Sequence, residues 1–431
     1  MTALLIKNGR VLDPAQGVDA TRDVLVRDGR IAELSSLREG EALEIIDAAG
    51  QWVMPGFIDL HTHLREPGQE GKETIQSGCR SAVAGGFTAV VAMPNTVPVI
   101  DTAVLAKFVA QKGRDVGLCR VYPSGSITRG QEGKALTDMA DLVSAGCVCL
   151  TDDGRPVTDA GLMRRAIQWA MPLGVPLMLH EEELSLSEGG FMNEGPVAAR
   201  LGLLPIPASA EVTMVARDLV LAEETGGRLH FAHLSCEQSV RLVREGKRRG
   251  LQITAEATPH HFTLTDEALE GWNTDARMNP PLRSARDVEA VQEGLADGTI
   301  DAIATDHAPH GVADKVCPFD CSANGIVGLE TALPLTMELV HAGKLSPMRA
   351  AERLSMGPAR AFRLPGGSLK AGEPADVTLV DPSAEWAIES KRFFSKSRNS
   401  PFEGRRVKGR VRATIVGGRV VFMDGAVKEQ G

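Results

Sequence analysis

The sequence predicts an α/β protein built as a (β/α)8 TIM-type barrel, with a small β domain formed by both termini. The middle of the chain alternates short apolar strands with helical stretches, which is typical of a parallel sheet covered by helices. Both ends show alternating runs separated by turn dipeptides, which favour antiparallel hairpins. Neither end is long enough to close a good core alone, so we expect the two ends to meet.

The predicted β domain consists of residues 1–54 and 363–431. Its strongest signals are pairs of small turn residues between apolar runs, because such pairs suit two-residue hairpin loops. A further strand is expected at residues 375–380. The hairpin turns are expected at Asn8-Gly9, Asp28-Gly29 and Gly417-Gly418.

The predicted barrel covers residues 55–362. Eight strand candidates are separated by helical stretches, for example at 73–84, 160–171, 208–224 and 237–248. A doubly wound open sheet is the alternative, since the pattern alone separates the two poorly. The predicted strands are 53–61, 88–94, 119–125, 147–152, 176–180, 228–234, 252–258 and 302–306.

Composition excludes several classes of function. The 431 residues contain 47 Lys+Arg and 56 Asp+Glu, so the formal net charge is −9. This acidic balance argues against a nucleic-acid binder, which needs clustered basic residues. Apolar runs fall short of the roughly 18 residues that a membrane span requires, and the N-terminus lacks a secretory apolar region. We therefore expect a cytoplasmic protein with no nucleic-acid or membrane partner.

The chemistry is predicted at the strand ends, where barrel proteins carry their functional side chains. His61 and His63 close the first barrel strand. Because they are two apart, a strand directs both imidazoles to the same side, which suits two nitrogen ligands on one metal. On the sixth strand, His230 and His233 face opposite sides. His233 lies nearer the carboxyl end and is the predicted ligand, whereas His230 is interpreted as a structural histidine.

Further ligands are expected after strands four, five and eight. Strand four ends in Asp152 and Asp153, strand five ends in His180, and strand eight ends in Asp306. The histidines and carboxylates together suit two divalent ions, most simply Zn²⁺, with one ion as the alternative. Two neighbouring cations need a bridging carboxylate to offset their repulsion.

With these residues in place, the sequence resembles the amidohydrolase superfamily and, more finely, the bacterial class I dihydroorotases. The resemblance covers nearly the whole chain. Its motifs are PGFIDLHTHLREPG at 55–68, MPNT at 93–96, TDDG at 151–154, MNPPLR at 278–283, ATDHAPH at 304–310, GIVGLET at 325–331 and SKSRNSPF at 395–402.

The resemblance implies a zinc-dependent hydrolase of pyrimidine biosynthesis that reversibly cyclises N-carbamoyl-L-aspartate to L-dihydroorotate. It implies that Asp153 bridges the metals and that Asp306 is both a ligand and the general base and acid. It also implies substrate contacts from Arg65, Asn95, Asn279, His310, Asn324 and Gly325. The family commonly has an aromatic residue where this chain has Asn324, so the side-chain part of that contact is open.

Two other functions compete with this one. The first is another cyclic amidohydrolase of the hydantoinase, dihydropyrimidinase or allantoinase type. Many such relatives bridge their metals with a carbamylated lysine from strand four, and this chain has no lysine between Lys134 and Lys247. The second is a catalytically silent homologue that scaffolds aspartate carbamoyltransferase, although such relatives typically lack metal ligands. Expected partners are therefore the small-molecule substrate, aspartate carbamoyltransferase and further copies in a homo-oligomer.

Two neighbouring polar stretches receive plainer interpretations. The run Glu181-Glu182-Glu183 is expected to be a solvated loop after strand five. The pair His260-His261 is expected to be loop histidines, since the ligand set is already full.

Overall fold

The structure is a computed structural model that describes residues 3–37 and 43–429. The predicted terminal segments 1–54 and 363–431 therefore include positions outside the described residues, namely 1–2, 38–42 and 430–431. Within the described ranges, no helix is long and apolar enough to cross a membrane.

The described residues of the N-terminal part form five strands. Asp28 and Gly29 both have positive φ between β2 and β3, as a tight hairpin turn requires. The strands are β1 (Ala3–Asp13), β2 (Val18–Arg27), β3 (Arg30–Ala32), β4 (Leu43–Asp47) and β5 (Trp52–Pro55).

The hairpin predicted at Asn8-Gly9 is wrong. Asn8 has the expected positive φ of 64°, but β1 continues through it, and its register against β2 shifts between Ile6 and Gly9. The left-handed residue is therefore taken up by a β-bulge inside one strand. Gly9 is required there because an added Cβ would lie 2.3 Å from Cγ2 of Val53.

The middle of the chain alternates strands and helices as predicted. The strands are β6 (Phe57–Thr62), β7 (Phe87–Ala92), β8 (Arg120–Pro123), β9 (Leu177–Leu179), β10 (Met192–Asn193), β11 (Pro205–Ile206), β12 (Leu229–Phe231), β13 (Ile253–Ala257) and β14 (Ala302–Ile303). The first nine helices are α1 (Ile75–Ala84), α2 (Ala103–Val116), α3 (Met139–Ser144), α4 (Ala160–Ala170), α5 (Leu184–Ser187), α6 (Pro196–Leu201), α7 (Ser209–Thr225), α8 (Glu237–Arg248) and α9 (Ala285–Asp297).

Four further helices follow β14, and four strands complete the chain. The turn at Gly417-Gly418 lies between β16 and β17, as predicted. The helices are α10 (Val312–Lys315), α11 (Ala332–His341), α12 (Pro347–Ala351) and α13 (Gly357–Phe362). The strands are β15 (Val377–Ala387), β16 (Arg406–Val416), β17 (Arg419–Met423) and β18 (Ala426–Val427).

Strands from the two ends of the chain share one nine-stranded sheet. Its order is β18-β17-β16-β15-β5-β1-β2-β3, with β4 also paired to β1. The junction is the antiparallel pair β5–β15, in which Val53 lies opposite Leu379. Apolar residues from both ends, such as Ile6, Val26 and Ile415, pack together on this sheet.

The parallel strands of the middle form a second arrangement, which we call the strand ring. One run is β6-β7-β8 and another is β9-β12-β13-β14. Leu150 bridges Gly125 on one side and Leu177 on the other, and Thr62 bridges His307. Most strand residues are buried on both faces, which explains their nearly continuous apolar sequences.

The predicted fourth strand at 147–152 forms only as the bridge residue Leu150 within the described residues. Backbone hydrogen bonds nevertheless connect it to both neighbours. Thr151 N–H donates to Gly125 O at 2.8 Å, and Met178 N–H donates to Leu150 O at 2.9 Å. The segment is thus too short to be a regular strand but still places its following residues at the same edge as the others.

A buried carboxyl group joins helix α1 to the segment that precedes β16. Glu330 Oε1 accepts hydrogen bonds from Ser81 Oγ at 2.8 Å and from the backbone N–H groups of Phe394 at 2.7 Å and Ser395 at 3.3 Å. Burial raises the pKa of Glu330 from 4.5 to about 7, although these hydrogen bonds oppose the shift. The folded protein therefore holds this carboxyl partly protonated near neutral pH.

We predict that Glu330→Gln removes a pH-dependent loss of stability. Because the folded pKa exceeds the unfolded one, the protonated carboxyl stabilises the fold fully below pH 4.5, and this contribution is lost as pH rises through 7. The variant should match the wild type below pH 4.5 and exceed it at pH 8 by about 3 kcal/mol. Thermal midpoints across this range measure the difference. Glu293→Gln, on an exposed position of α9, is the matched control, and equal pH slopes in all three proteins would contradict the prediction.

Candidate metal centre and active site

Six predicted ligands lie together at the carboxyl-terminal edge of the strand ring, and all are buried. His61 lies in β6, and the others follow the ends of β6, the Leu150 bridge, β9, β12 and β14. The six residues are His61, His63, Asp153, His180, His233 and Asp306.

Asp153 lies at the centre of this group. Its Oδ1 is 3.3 Å from His61 Nε2, and 3.7 Å from His233 Nε2. The same oxygen is 3.8 Å from His180 Nδ1, while Oδ2 is 3.6 Å from His63 Nε2. One carboxylate thus faces nitrogens from four histidines, which is the geometry a bridging ligand needs.

Asp306 approaches the same group from the other side. Its Oδ1 lies 2.9 Å from His63 Nε2 and 3.6 Å from His61 Nε2. Two sets of three residues could each hold a metal ion, because the ligand atoms within each set lie within 4.8 Å of one another. The first set is His61, Asp153 and His233, and the second is His61, His63 and Asp306. His180 joins the first set, because its Nδ1 is 3.0 Å from His233 Nε2.

The site fits a bound cation. His61 Nε2 and His233 Nδ1 are buried and have no hydrogen-bond partner among the described residues. Burial alone would raise the pKa of Asp153, but His61 and His233 hold it well below its usual range. The pKa of Asp306 is likewise lowered by His61 and His63 against the effect of burial. Ionised carboxylates and an orphaned imidazole nitrogen in one buried cluster are typical of a divalent-metal site.

A buried glutamate outside the predicted set orients His61. Glu256 accepts from His61 Nδ1 at 2.8 Å and from His230 Nε2 at 3.0 Å. Burial opposes its ionisation, but the two histidines lower its pKa to about 2. The ionised carboxylate places the proton on His61 Nδ1, so the Nε2 lone pair faces the cluster. His230, hydrogen-bonded also to Thr254 Oγ1 at 2.8 Å, is a satisfied structural histidine as expected.

The solvated loop expected at Glu181-Glu182-Glu183 is wrong for its first two residues, which are buried. Glu182 Oε2 lies 3.0 Å from His180 Nε2 and accepts from Asn279 Nδ2 at 2.9 Å. Burial opposes ionisation of Glu182, but the contact with His180 helps to lower its pKa to about 2. Glu182 follows His180 directly after β9, and its contacts with His180 and Asn279 keep it inside the protein.

A cavity of about 230 Å³ opens onto the ligand cluster. Every predicted substrate contact lines it, beside all the predicted ligands except His61. The six contacts are Arg65, Asn95, Asn279, His310, Asn324 and Gly325.

Arg65 brings a buried positive charge to this cavity. It has a positive φ of 62°, and its Nε donates to Pro309 O at 3.2 Å. Burial lowers the pKa of Arg65 to about 10, and Asp306 and Asp153 oppose the shift. The guanidinium is therefore charged at neutral pH and faces a space that an anion can enter.

The other lining residues are partly engaged with protein groups. Asn95 Oδ1 lies 2.9 Å from His63 Nδ1, and its Nδ2 donates to Asp153 Oδ2 at 3.1 Å. Gly325 N–H donates to Arg277 O at 2.9 Å. Gly325 also has φ of 147°, and an added Cβ would lie 2.8 Å from Ala308 O. A side chain at this position would clash with the backbone of the cavity wall, so glycine is required.

Sequence reasoning placed the ligands and the cavity residues in one region but missed Glu256 and Glu182. A signal for Glu256 was present, because β13 has the sequence ITAEA. A charged residue inside an otherwise apolar strand is buried only when it is paired. No comparable signal marked Glu182, because a run of three glutamates is usually exposed.

Comparisons with known proteins point to one family of relatives. The sequence model of the Dihydro-orotase-like family matches residues 50–239. The chain is 54% identical to a dihydroorotase of Anaeromyxobacter sp. (strain K), covering 98% of each chain. It is 51% identical to a dihydroorotase of Pelobacter propionicus, covering 97% of this chain and 99% of that protein.

A solved structure has the same fold. The L-hydantoinase (dihydropyrimidinase) from Arthrobacter aurescens superimposes with a TM-score of 0.89 at 26% identity, over 99% of this chain and 98% of that one. The fold is therefore the α/β fold of the hydantoinases.

We predict that Glu256→Gln weakens metal binding. A glutamine cannot accept from both His61 and His230 through oxygen, so one imidazole loses its partner and the His61 tautomer is no longer fixed. Outer partners of this kind contribute roughly 10–100-fold to metal affinity. Competition with a graded chelator, followed by metal analysis, measures the change. Glu330→Gln, which makes the same substitution at a buried position outside the ligand cluster, is the control. Unchanged metal affinity in folded Glu256→Gln would count against the role of Glu256 in orienting His61.

Proposed function

We propose that this chain, which belongs to the dihydroorotase family of the amidohydrolase superfamily, interconverts N-carbamoyl-L-aspartate and L-dihydroorotate in pyrimidine biosynthesis. It is a cyclic amide hydrolase. The observation that carries the proposal is one cavity lined by both a metal-ligand cluster and the buried guanidinium of Arg65. Such a cavity suits a cyclic amide that also bears a carboxylate.

Within the family, the chain is of the bacterial class I type. The support is the central position of Asp153, whose oxygens face nitrogens of four histidines. No lysine lies between Lys134 and Lys247 to take that position. Asp152 is turned away, since its carboxylate accepts from the backbone N–H groups of Ile127 and Thr128.

The proposed architecture is a closed (β/α)8 barrel over residues 55–362. The parallel pairings of the strand ring support it, because their bridges connect β6 to the segment after β14. Residues 1–54 and 363–431 form the small β domain, supported by their shared nine-stranded sheet.

Two Zn²⁺ ions are the proposed cofactors. His61, His63, Asp153 and Asp306 would hold one of them, and Asp153, His180 and His233 the other. When bound, the ions lower the pKa of water and polarise a carbonyl group. Asn95, Glu256 and Glu182 fix the orientation of His63, His61 and His180 through the hydrogen bonds described above.

Asp306 is the proposed general base and acid. In the hydrolytic direction, water attacks the ring amide carbonyl, a C–O bond forms and the C–N bond breaks. Asp306 accepts a proton of the attacking water and delivers it to the leaving nitrogen. Its lowered pKa keeps it ionised at neutral pH, the form that can accept a proton.

Arg65, Asn95 and His310 are the proposed contacts for the substrate carboxylate, and Asn279, Asn324 and Gly325 for the ring. Arg65 supplies charge, and Asn95 retains one amide N–H beyond the one donated to Asp153. Holding the carboxylate in this way orients the reacting carbonyl toward the ligand cluster.

We further propose that the chain acts in the cytoplasm, that it forms a homo-oligomer and that aspartate carbamoyltransferase is its partner. Turnover of the isolated chain, measured with and without added aspartate carbamoyltransferase, distinguishes an independent enzyme from a scaffold. Size-exclusion chromatography with light scattering gives the oligomeric state.

We predict that Asp306→Asn folds, keeps most of its metal, and loses turnover by roughly 10²–10⁴-fold, because the amide cannot accept the proton. Circular dichroism, metal analysis and kcat for dihydroorotate measure the three properties. Near-normal kcat in the variant would remove Asp306 from the proton transfer.

We further predict a preference for a carboxylate-bearing ring. The wild type should favour dihydroorotate over neutral dihydrouracil and hydantoin by at least about a hundredfold in kcat/KM, because an uncharged ring leaves buried Arg65 without an anion. Arg65→Met should lose most of this preference. Comparable turnover of the three rings by the wild type would instead support the hydantoinase alternative.

A further inference from the structure

We propose that Lys72, which lies behind the cavity wall, is a positioning residue that fixes the tautomer of His310 for carboxylate binding. The inference rests on the proposed function, which places the substrate carboxylate between Arg65 and His310. Lys72 lies in the segment between β6 and α1, and its side chain is 31% exposed. Its Nζ is 3.4 Å from His310 Nδ1 and 3.3 Å from Asp314 Oδ2.

The contacts of His310 are consistent with one protonation state. Its Nε2 lies 2.8 Å from Asn324 O, which can only accept, so Nε2 carries the proton. The ammonium of Lys72 can only donate, so Nδ1 presents its lone pair. The neutral Nε2–H imidazole satisfies both contacts. Arg65 Nη2, 3.4 Å from Nε2, is then a neighbouring charge and not a hydrogen-bond donor to this ring.

The charges around His310 favour this neutral form. Burial lowers its pKa to about 3, assisted by the cations of Arg65, Lys72 and Lys315. Asp314 is the carboxylate that faces the ring, with Oδ2 3.7 Å from Nδ1. Three cations thus act on the ring, and the neutral imidazole lies beside the guanidinium of Arg65, where an anion would be attracted.

Lys72 and the carbonyl of Asn324 together fix which nitrogen of His310 carries the proton. With Lys72 at Nδ1, the proton lies on Nε2, which is 3.4 Å from Arg65 Nη2 and can therefore also donate to a carboxylate held by Arg65. Without Lys72, Asp314 would favour a proton on Nδ1. Nε2 would then direct a lone pair at the carboxylate, and the contact would become repulsive.

Lys72→Met tests this role because it keeps the length of the side chain and removes its charge and donor. We expect KM for both dihydroorotate and N-carbamoyl-L-aspartate to rise about tenfold, the effect of losing one charge-assisted hydrogen bond. The kcat should stay within about twofold, and metal content should not change. Lys72→Arg should restore most of the affinity. Lys391→Met, at an exposed position, is the matched control.

Asp314→Asn separates this role from a purely structural one. The variant breaks the Lys72–Asp314 ion pair but leaves Lys72 beside His310. If Lys72 only held the segment that carries α10, Asp314→Asn would raise KM as Lys72→Met does. If Lys72 acts through His310, Asp314→Asn should leave KM unchanged or lower it, because one negative charge near the anion site is lost.

Nitrogen NMR of ¹⁵N-histidine-labelled protein reads the tautomer without any turnover, with His310→Gln used to assign the signal. The wild type should show the Nε2–H form, and Lys72→Met should shift toward Nδ1–H. An unchanged tautomer or an unchanged KM in Lys72→Met overturns the inference. A wild type that fails to turn over dihydroorotate overturns the proposed function instead, and the NMR result still tests the contact between Lys72 and His310.

Discussion

The arrangement of the site depends on one buried carboxylate, Asp153, and on the need to surround it with nitrogen ligands. Its oxygens lie 3.3–3.8 Å from nitrogens of four histidines. Removing a carboxylate from water costs several kcal/mol unless groups of complementary charge lie close to it. The histidines come from three separate strand ends, so the strands must converge before the charge can be buried. A cation bound in the cluster would offset the negative charge of the carboxylate more fully than the imidazoles alone.

A second buried carboxylate, that of Asp59, must also be surrounded by hydrogen-bond donors. Asp59, within β6, accepts from the backbone N–H groups of His61 at 3.1 Å and Thr305 at 3.0 Å. It also accepts from Thr305 Oγ1 at 2.5 Å. These bonds join β6 to the residue before Asp306, so the ligands of the first and last ring strands are held by one side chain. The ring and the site are therefore stabilised by the same contacts.

The sequence could predict the site better than the details of the fold. Residues at strand ends are visible because a two-residue period and a polar residue after an apolar run are local properties, as at His61 and His63. The bulge at Asn8 was not predictable, since the same left-handed residue suits a turn or a bulge, and β2 and Val53 decide between them. Glu182 was misjudged for a similar reason: its burial depends on where the chain travels after β9, which local polarity does not reveal.

The cavity is lined by two kinds of group, and together they suit a substrate that carries both a cyclic amide and a carboxylate. The ligand cluster contributes Asp153 and Asp306, while Arg65 and the neutral His310, with Lys72 beside it, contribute positive charge and a hydrogen-bond donor. In the proposed function, Arg65 attracts the carboxylate of the substrate, and the cluster would hold the cations that polarise the reacting carbonyl. On this proposal, the substrate is oriented by residues that take no part in bond breaking. The contacts that hold these residues, such as the one from Arg65 Nε to Pro309 O, are present in the protein before a substrate binds.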